Sequence, residues 1–355
     1  MASFRTFDQV QRVPAQAMQK VIDPADWTAE SLGPVDGWSY FISDRDADEL
    51  IGAVAAFRRK RLPLVDVDRG NFALGRFAAI LADVRQELIG GRGIVMLKDF
   101  PLERLDREGI AIAYLGLGSY LGDKMMQNLH GHVLGHVKDL GGDYTKGRGY
   151  DTNAELRFHT DGCAYVGLLC LQTSKSGGAS RVASSVRVYN TILERRPDLC
   201  ELLCQDYYRD NNGEMSEGEK NYFTQPIFSF TQGYFSATGA GATLERAQKL
   251  PDVPKWTPAQ REAVEIYRAV AEEVAVDIDF VPGDIQFLSN YVALHTRRAF
   301  EDWPEARRKR HLLRLWLGDP DGRPIPKEQR EGRSGRGIQI KGLQMSAPLD
   351  VERAA

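Results

Sequence analysis

The run Arg310-His311-Leu312-Leu313-Arg314-Leu315-Trp316-Leu317 constrains the fold of this chain more than any other stretch of it. Side chains alternate between the two faces of a β-strand, so Arg310, Leu312, Arg314 and Trp316 share one face. His311, Leu313, Leu315 and Leu317 share the other. Two arginines within such an apolar run are costly to bury unless an anion meets them. Guanidinium forks pair bidentately with carboxylates, supplied either by an internal Asp or Glu or by a bound dicarboxylic acid. The surrounding fold must bring one or the other to the arginine face.

A second pattern lies upstream, in Leu156-Arg157-Phe158-His159-Thr160-Asp161-Gly162. Read as a strand, it puts His159 and Asp161 on one face and Thr160 on the other. An imidazole nitrogen and a carboxylate oxygen so placed bind one divalent cation from adjacent corners. A His-x-Asp pair alone is weak, and a single histidine such as His295 is usually a hydrogen-bonded core residue. Brought together, two histidines and one carboxylate make the set that holds iron(II) in non-heme oxygenases, leaving positions for substrate and O2. A strand-built barrel lays the late segment around His295 beside the early one.

The remaining pattern agrees with such a core. Leu50, Ile51, Val54 and Phe57 fall on one helical face; Leu74, Phe77, Leu81, Val84 and Leu88 repeat likewise, ending at Gly90-Gly91. Residues 93–97 read as a buried strand, and 106–120 as a helix. Residues 122–157 carry little periodicity and read as a long loop. Further helices begin near Ser185 and at Thr257-Pro258-Ala259-Gln260, the latter with a capping box. Val276, Ile278 and Phe280 alternate with acids, and Pro282-Gly283-Asp284 predicts a hairpin into residues 285–288. Helices first and many short strands after them predict an α+β chain with a strand-built core. Residues 1–90 are expected to form a helical region packed on a catalytic domain at 91–318, which carries an insertion at about 209–256. The tail, 319–355, is rich in Gly, Pro and charge and is expected to be partly ordered at best.

Composition excludes several classes. A formal net charge of -3 gives no electrostatic basis for binding nucleic acid or an anionic membrane. No apolar run is long enough to span a bilayer, and residues 1–30 show no signal-peptide pattern. The four cysteines include no Cys-x-x-Cys pair, which points to a reducing, cytoplasmic setting. No phosphate-cradling glycine motif and no Gly-x-Ser-x-Gly elbow occurs.

Taken together, these segments resemble the TauD/TfdA family, the taurine and 2,4-dichlorophenoxyacetate dioxygenases, with clavaminate synthase as a relative. Four places carry the resemblance: His159-Thr160-Asp161, Gly177-Gly178-Ala179-Ser180, the region from Gly283-Asp284 to His295-Thr296-Arg297, and Arg310 with Arg314. It covers roughly residues 90–318. It implies a double-stranded β-helix (jelly-roll) core flanked by helices, with lid insertions. It also implies iron(II) held by His159, Asp161 and His295, and 2-oxoglutarate held by Ser180 and Arg310. Arg314 either assists there or faces an anionic group of the substrate. The implied reaction consumes O2 and 2-oxoglutarate, releases succinate and CO2, and oxidises a C–H bond of a small substrate, with hydroxylation its leading form. Asp161 at the carboxylate position argues against a halogenase.

Two other readings stay open. His130, His132 and His136 lie close enough in sequence for a zinc site. A metal-free jelly roll that only binds a ligand is the second. Tyr150, Asn153 and Arg157 are further candidates for substrate contact, as is Trp316 on the arginine face; residues 222–234 are a candidate lid. Cys163 is expected to be packing. The helical N-terminal region offers a surface for a homo-oligomer.

Overall fold

The computed structural model describes residues 11–142, 149–215, 218, 220–332 and 337–351. Its early helices follow the apolar periodicity. Helix Asp44–Lys60 opens on a capping box between Ser43 and Asp46 and buries Leu50, Val54 and Phe57. Helix Arg76–Gly90 buries Phe77, Leu81, Val84 and Leu88 and ends at Gly91. Helix Arg107–Ser119, capped by Asp106, is buried along most of its length. These helices form one apolar cluster with Val95, Leu97, Leu169 and Phe287 and with Leu313, Leu315 and Leu317. Each fully buried Leu or Phe there contributes about 1.5–3 kcal/mol.

The strands beneath them form a seven-stranded sheet. Its order runs Ser39–Phe41, Ile94–Lys98, Ile285–Ser289, Tyr165–Gln172 and His311–Gly318; Asp123–Lys124 and Leu134–Val137 both pair with the last of these. The first pair is parallel and the others antiparallel. A three-stranded antiparallel sheet is ordered Val276–Ile278, Ser180–Ser184, Ala293–Arg297. Ile94, Val166, Leu288 and Trp316 of the large sheet share a core cluster with Val182, Ile278 and Ala293 of the small one. The two sheets therefore pack face to face. Helices Ser185–Arg195 and Pro258–Glu273 cover the small sheet's side, the latter capped by Thr257 and Gln260 as predicted.

Three expectations are corrected. The turn at Pro282-Gly283-Asp284 forms, but no hairpin follows: Val276–Ile278 belongs to the small sheet and Ile285–Ser289 to the large one. All of Ile285–Ser289 is buried, and it lies between Ile94–Lys98 and Tyr165–Gln172, so both of its edges are already taken. The expected loop 122–157 holds two strands, with residues 143–148 outside the described set. The tail is packed over its described residues. It carries helix Lys327–Glu331, and Arg323 is buried against Asp23 at 2.6 Å. Burying that pair, with Ile325 and Ile338, overrides the tail's polar composition. Among the described residues, no helix is long and apolar enough to cross a membrane.

Candidate metal centre

His159 sits on a single antiparallel bridge with His295 rather than on a regular strand, which corrects the expected strand across residues 156–162. The two residues exchange both backbone hydrogen bonds at 3.0 Å. His295 itself lies in strand Ala293–Arg297 of the small sheet, while Asp161 occupies the segment leading into strand Tyr165–Gln172 of the large one. Asn290 fixes that segment by accepting the Asp161 amide at 2.9 Å. Ligand-type atoms of His159, Asp161 and His295 all fall within 4.8 Å of one another.

The local chemistry leaves these atoms ready to bind a cation. Nδ1 of His159 is 2.8 Å from the Arg157 carbonyl, so it carries the proton and leaves the Nε2 lone pair free. Burial, reinforced by His159, pulls His295 down to about 3, so it is a neutral imidazole near neutral pH. Burial works to raise the Asp161 carboxyl, but the Arg314 charge, with a hydrogen bond from Trp316, outweighs it and holds it at about 2. Trp316 Nε1 donates to Asp161 Oδ2 at 2.8 Å, and Arg314 Nη1 stands 3.5 Å from the same oxygen. Two imidazole nitrogens and one carboxylate oxygen are the donor set of a divalent first-row metal.

The triad opens on a cavity of about 220 Å³ that Ser180, Arg310, Leu312, Arg314 and Trp316 also line. Strand parity thus holds: these last four residues face the cavity, while Leu313, Leu315 and Leu317 join the helical cluster. Gly177 and Gly178 have φ of 70° and 77°, and a Cβ on Gly178 would stand 3.2 Å from Arg310 Nε. Glycine therefore both permits this bend and admits the guanidinium. Arg310 is 5% exposed, and its Nη1 has no hydrogen-bond partner. Burial lowers it to about 10. Its strand mate Arg314 is engaged instead, by Gln127 at 2.8 Å and by Asp161. Of the two anion sources expected for the arginine face, an internal acid serves Arg314, whereas Arg310 lacks an acidic side chain on its guanidinium among the described residues.

Other candidates divide. Tyr150 lines the cavity beneath Arg314, with the guanidinium 5.1 Å from the ring centroid. Arg157 pairs with Glu245, and Asn153 does not line the cavity. His130, His132 and His136 do not converge. His132 bonds to Asn128, whereas His136, on strand Leu134–Val137, turns to His311. Of residues 222–234, Phe223 and Gln225 reach the cavity, while Phe228 and Phe230 pack on Tyr189. Sequence reasoning missed Gln127, the bond from Trp316 to Asp161, and the cavity wall contributed by Arg209 and Arg246 of the insertion. No local pattern marks these, because each acts on a residue distant in sequence.

Comparison with known proteins agrees with this geometry. The family described as taurine catabolism dioxygenase TauD, TfdA family, matches residues 59–316. The chain is 29% identical over 313 residues to FR-33289 synthase of Streptomyces rubellomurinus, covering 84% of this chain and 91% of that one. It is 28% identical over 311 residues to a taurine hydroxylase-like protein of Stachybotrys chartarum, covering 83% and 79%. Asparagine oxygenase, solved with Fe(II), a hydroxyasparagine and succinate, superposes with TM-score 0.64 at 18% identity, covering 79% of this chain and 93% of that one. The non-heme iron oxygenase OrfP, solved with Fe, succinate and a hydroxyarginine, superposes with TM-score 0.58 at 13% identity, covering 85% and 99%. The match covers the triad and every residue lining the cavity, through Trp316, and the chain belongs to the TauD/TfdA family of dioxygenases.

Proposed function

We propose that this protein is an iron(II)- and 2-oxoglutarate-dependent dioxygenase that hydroxylates a C–H bond of a small anionic substrate. One observation carries the reading: a two-histidine, one-carboxylate cluster and a buried arginine with an unsatisfied N–H group line the same cavity. Family membership supports it, as do structural relatives solved with iron, 2-oxoglutarate or succinate. The paired sheets form the jelly-roll core of a catalytic domain at 91–318, with residues 1–90 packed on it. The cavity wall from the insertion serves as a lid. Four free thiols suit a reducing cytoplasm.

His159, Asp161 and His295 hold the iron, with Trp316 and Asn290 fixing the carboxylate. Arg310 pairs with the side-chain carboxylate of 2-oxoglutarate and the Ser180 hydroxyl supports it. Arg314 keeps Asp161 ionised. Iron with 2-oxoglutarate supplies activation of O2, so that substrate, O2 and 2-oxoglutarate give hydroxylated product, succinate and CO2. The apolar faces of Leu168, Phe280 and Leu312 limit water at the centre.

Anaerobic addition of iron(II) and 2-oxoglutarate is expected to produce the weak visible charge-transfer band of the chelate. A folded wild-type sample without the band would overturn the reading.

A further inference from the structure

Arg209 lies in strand Asp206–Asp210, which opens the insertion, and is 5% exposed. Nη1 donates to the Gly239 carbonyl at 2.8 Å and Nη2 to the Thr238 hydroxyl at 2.7 Å. Both acceptors are neutral, and Nε has no partner. Each of those bonds uses one proton, so three of the five guanidinium N–H groups remain. Among the described residues no carboxylate pairs with Arg209; the neighbouring Asp210 is taken by Arg246 at 3.1 Å. A charge buried this deeply is costly without an anion, and burial, against the opposing influence of Tyr267, lowers Arg209 to about 10.

Its position is also informative. Gly239, which accepts from Arg209, abuts the metal centre: a Cβ there would stand 2.6 Å from His159 Cα. The Gly239 amide donates to the Thr160 hydroxyl at 3.1 Å. Arg209 lines the same cavity as the triad, along with Arg310. Among the described residues, Arg209 and Arg310 thus both border one cavity without an acidic partner, whereas 2-oxoglutarate would have a single carboxylate to spare once its other end held the metal.

We infer that Arg209 is the counter-cation for an oxyanion headgroup of the primary substrate: a carboxylate, sulfonate or phosphonate. This inference rests on the function proposed above. It assigns the headgroup to the insertion, leaving Arg310 for 2-oxoglutarate and Arg314 for Asp161. A substrate anchored there by its anionic end presents the rest of its skeleton toward the metal. The geometry selects a small organic anion over a neutral or cationic compound.

The test titrates acetate, methanesulfonate and methylphosphonate into manganese(II)-loaded protein, with and without 2-oxoglutarate, by calorimetry. At least one anion is expected to bind wild type, and the tightest identifies the headgroup. Arg209→Gln is expected to weaken that binding at least about tenfold while 2-oxoglutarate affinity stays within about twofold; Arg310→Gln should do the reverse. Arg209→Lys, a point charge without the fork, should weaken the anion about threefold or more and remains informative should the glutamine variant not fold. Absence of anion binding by wild type, or wild-type affinity in either Arg209 variant, would overturn the inference. If 2-oxoglutarate fails to bind wild type while anion binding still depends on Arg209, the proposed function falls and this assignment stands.

Discussion

Among the described residues, two clusters each bring two histidines and an aspartate within 4.8 Å: His159, Asp161 and His295 in one, His136, His311 and Asp350 in the other. Their chemistry differs. In the second, His136 donates Nε2–H to the Pro348 carbonyl at 2.9 Å, so its Nδ1 accepts the proton of His311 Nε2 at 2.8 Å. Asp350 is held by Lys138 at 2.7 Å and Arg107 at 2.8 Å. Both His136 nitrogens and the Asp350 charge are engaged within the cluster, which ties the tail to strands Leu134–Val137 and His311–Gly318. In the first, the bond from His159 Nδ1 to a carbonyl leaves Nε2 free, and the group opens on the cavity that Arg310 also lines. Nearness of ligand-type residues does not make a metal site. The direction of the lone pairs and their access to the cavity decide it.

The sharpest way to break this contrast is metal titration. One equivalent of divalent ion is expected, and His159→Ala or Asp161→Ala should weaken it by at least about 100-fold, whereas His311→Ala should not. Two tight equivalents in wild type, or metal loss in His311→Ala, would erase the distinction. A smaller effect is expected from Trp316→Phe, which removes the hydrogen bond to Asp161 but keeps an aromatic ring. Metal affinity should fall about tenfold, and an unchanged value would show that Arg314 and Asn290 position the carboxylate without it.

The smallest effect concerns pH. Burial, with His136 beside it, holds His311 at about 3, against an ordinary value of 6.5. Above 6.5 both folded and unfolded chains carry it neutral. As pH falls from 6.5 toward 3, the unfolded chain takes up a proton that the folded one refuses, so stability declines in that window. Denaturant melts at pH 7 and pH 5 should show a shallower decline in His311→Asn than in wild type. Equal slopes would mean the clamp does not govern acid sensitivity.

Much of the fold was legible from residue pattern. The helix ending at Gly90-Gly91, the capping box at Thr257 and Gln260, and the two faces of His311–Gly318 all follow from short-range periodicity and capping. The meeting of His159, Asp161 and His295 was legible because few residue types bind metal and an anion-seeking arginine pair lay downstream. The His130-His132-His136 reading failed by the same logic: spacing in sequence said nothing of His311, which is brought beside His136 only by the pairing of two strands. Likewise the turn at Pro282-Gly283-Asp284 was visible, but not that it carries the chain from one sheet to the other.

By itself, the sequence determined which side chains share a face and which groups can donate lone pairs or charge, since those properties reside in the residue and its near neighbours. Tertiary structure decided which of those groups are left over. Arg314 is satisfied by Asp161 and Gln127, whereas Arg310 and Arg209 retain unused N–H groups at the cavity, and His136 spends one nitrogen on the tail and the other on His311. Such outcomes depend on register and burial between segments far apart in the chain, where the cost of leaving a polar group without a partner is set by everything packed around it.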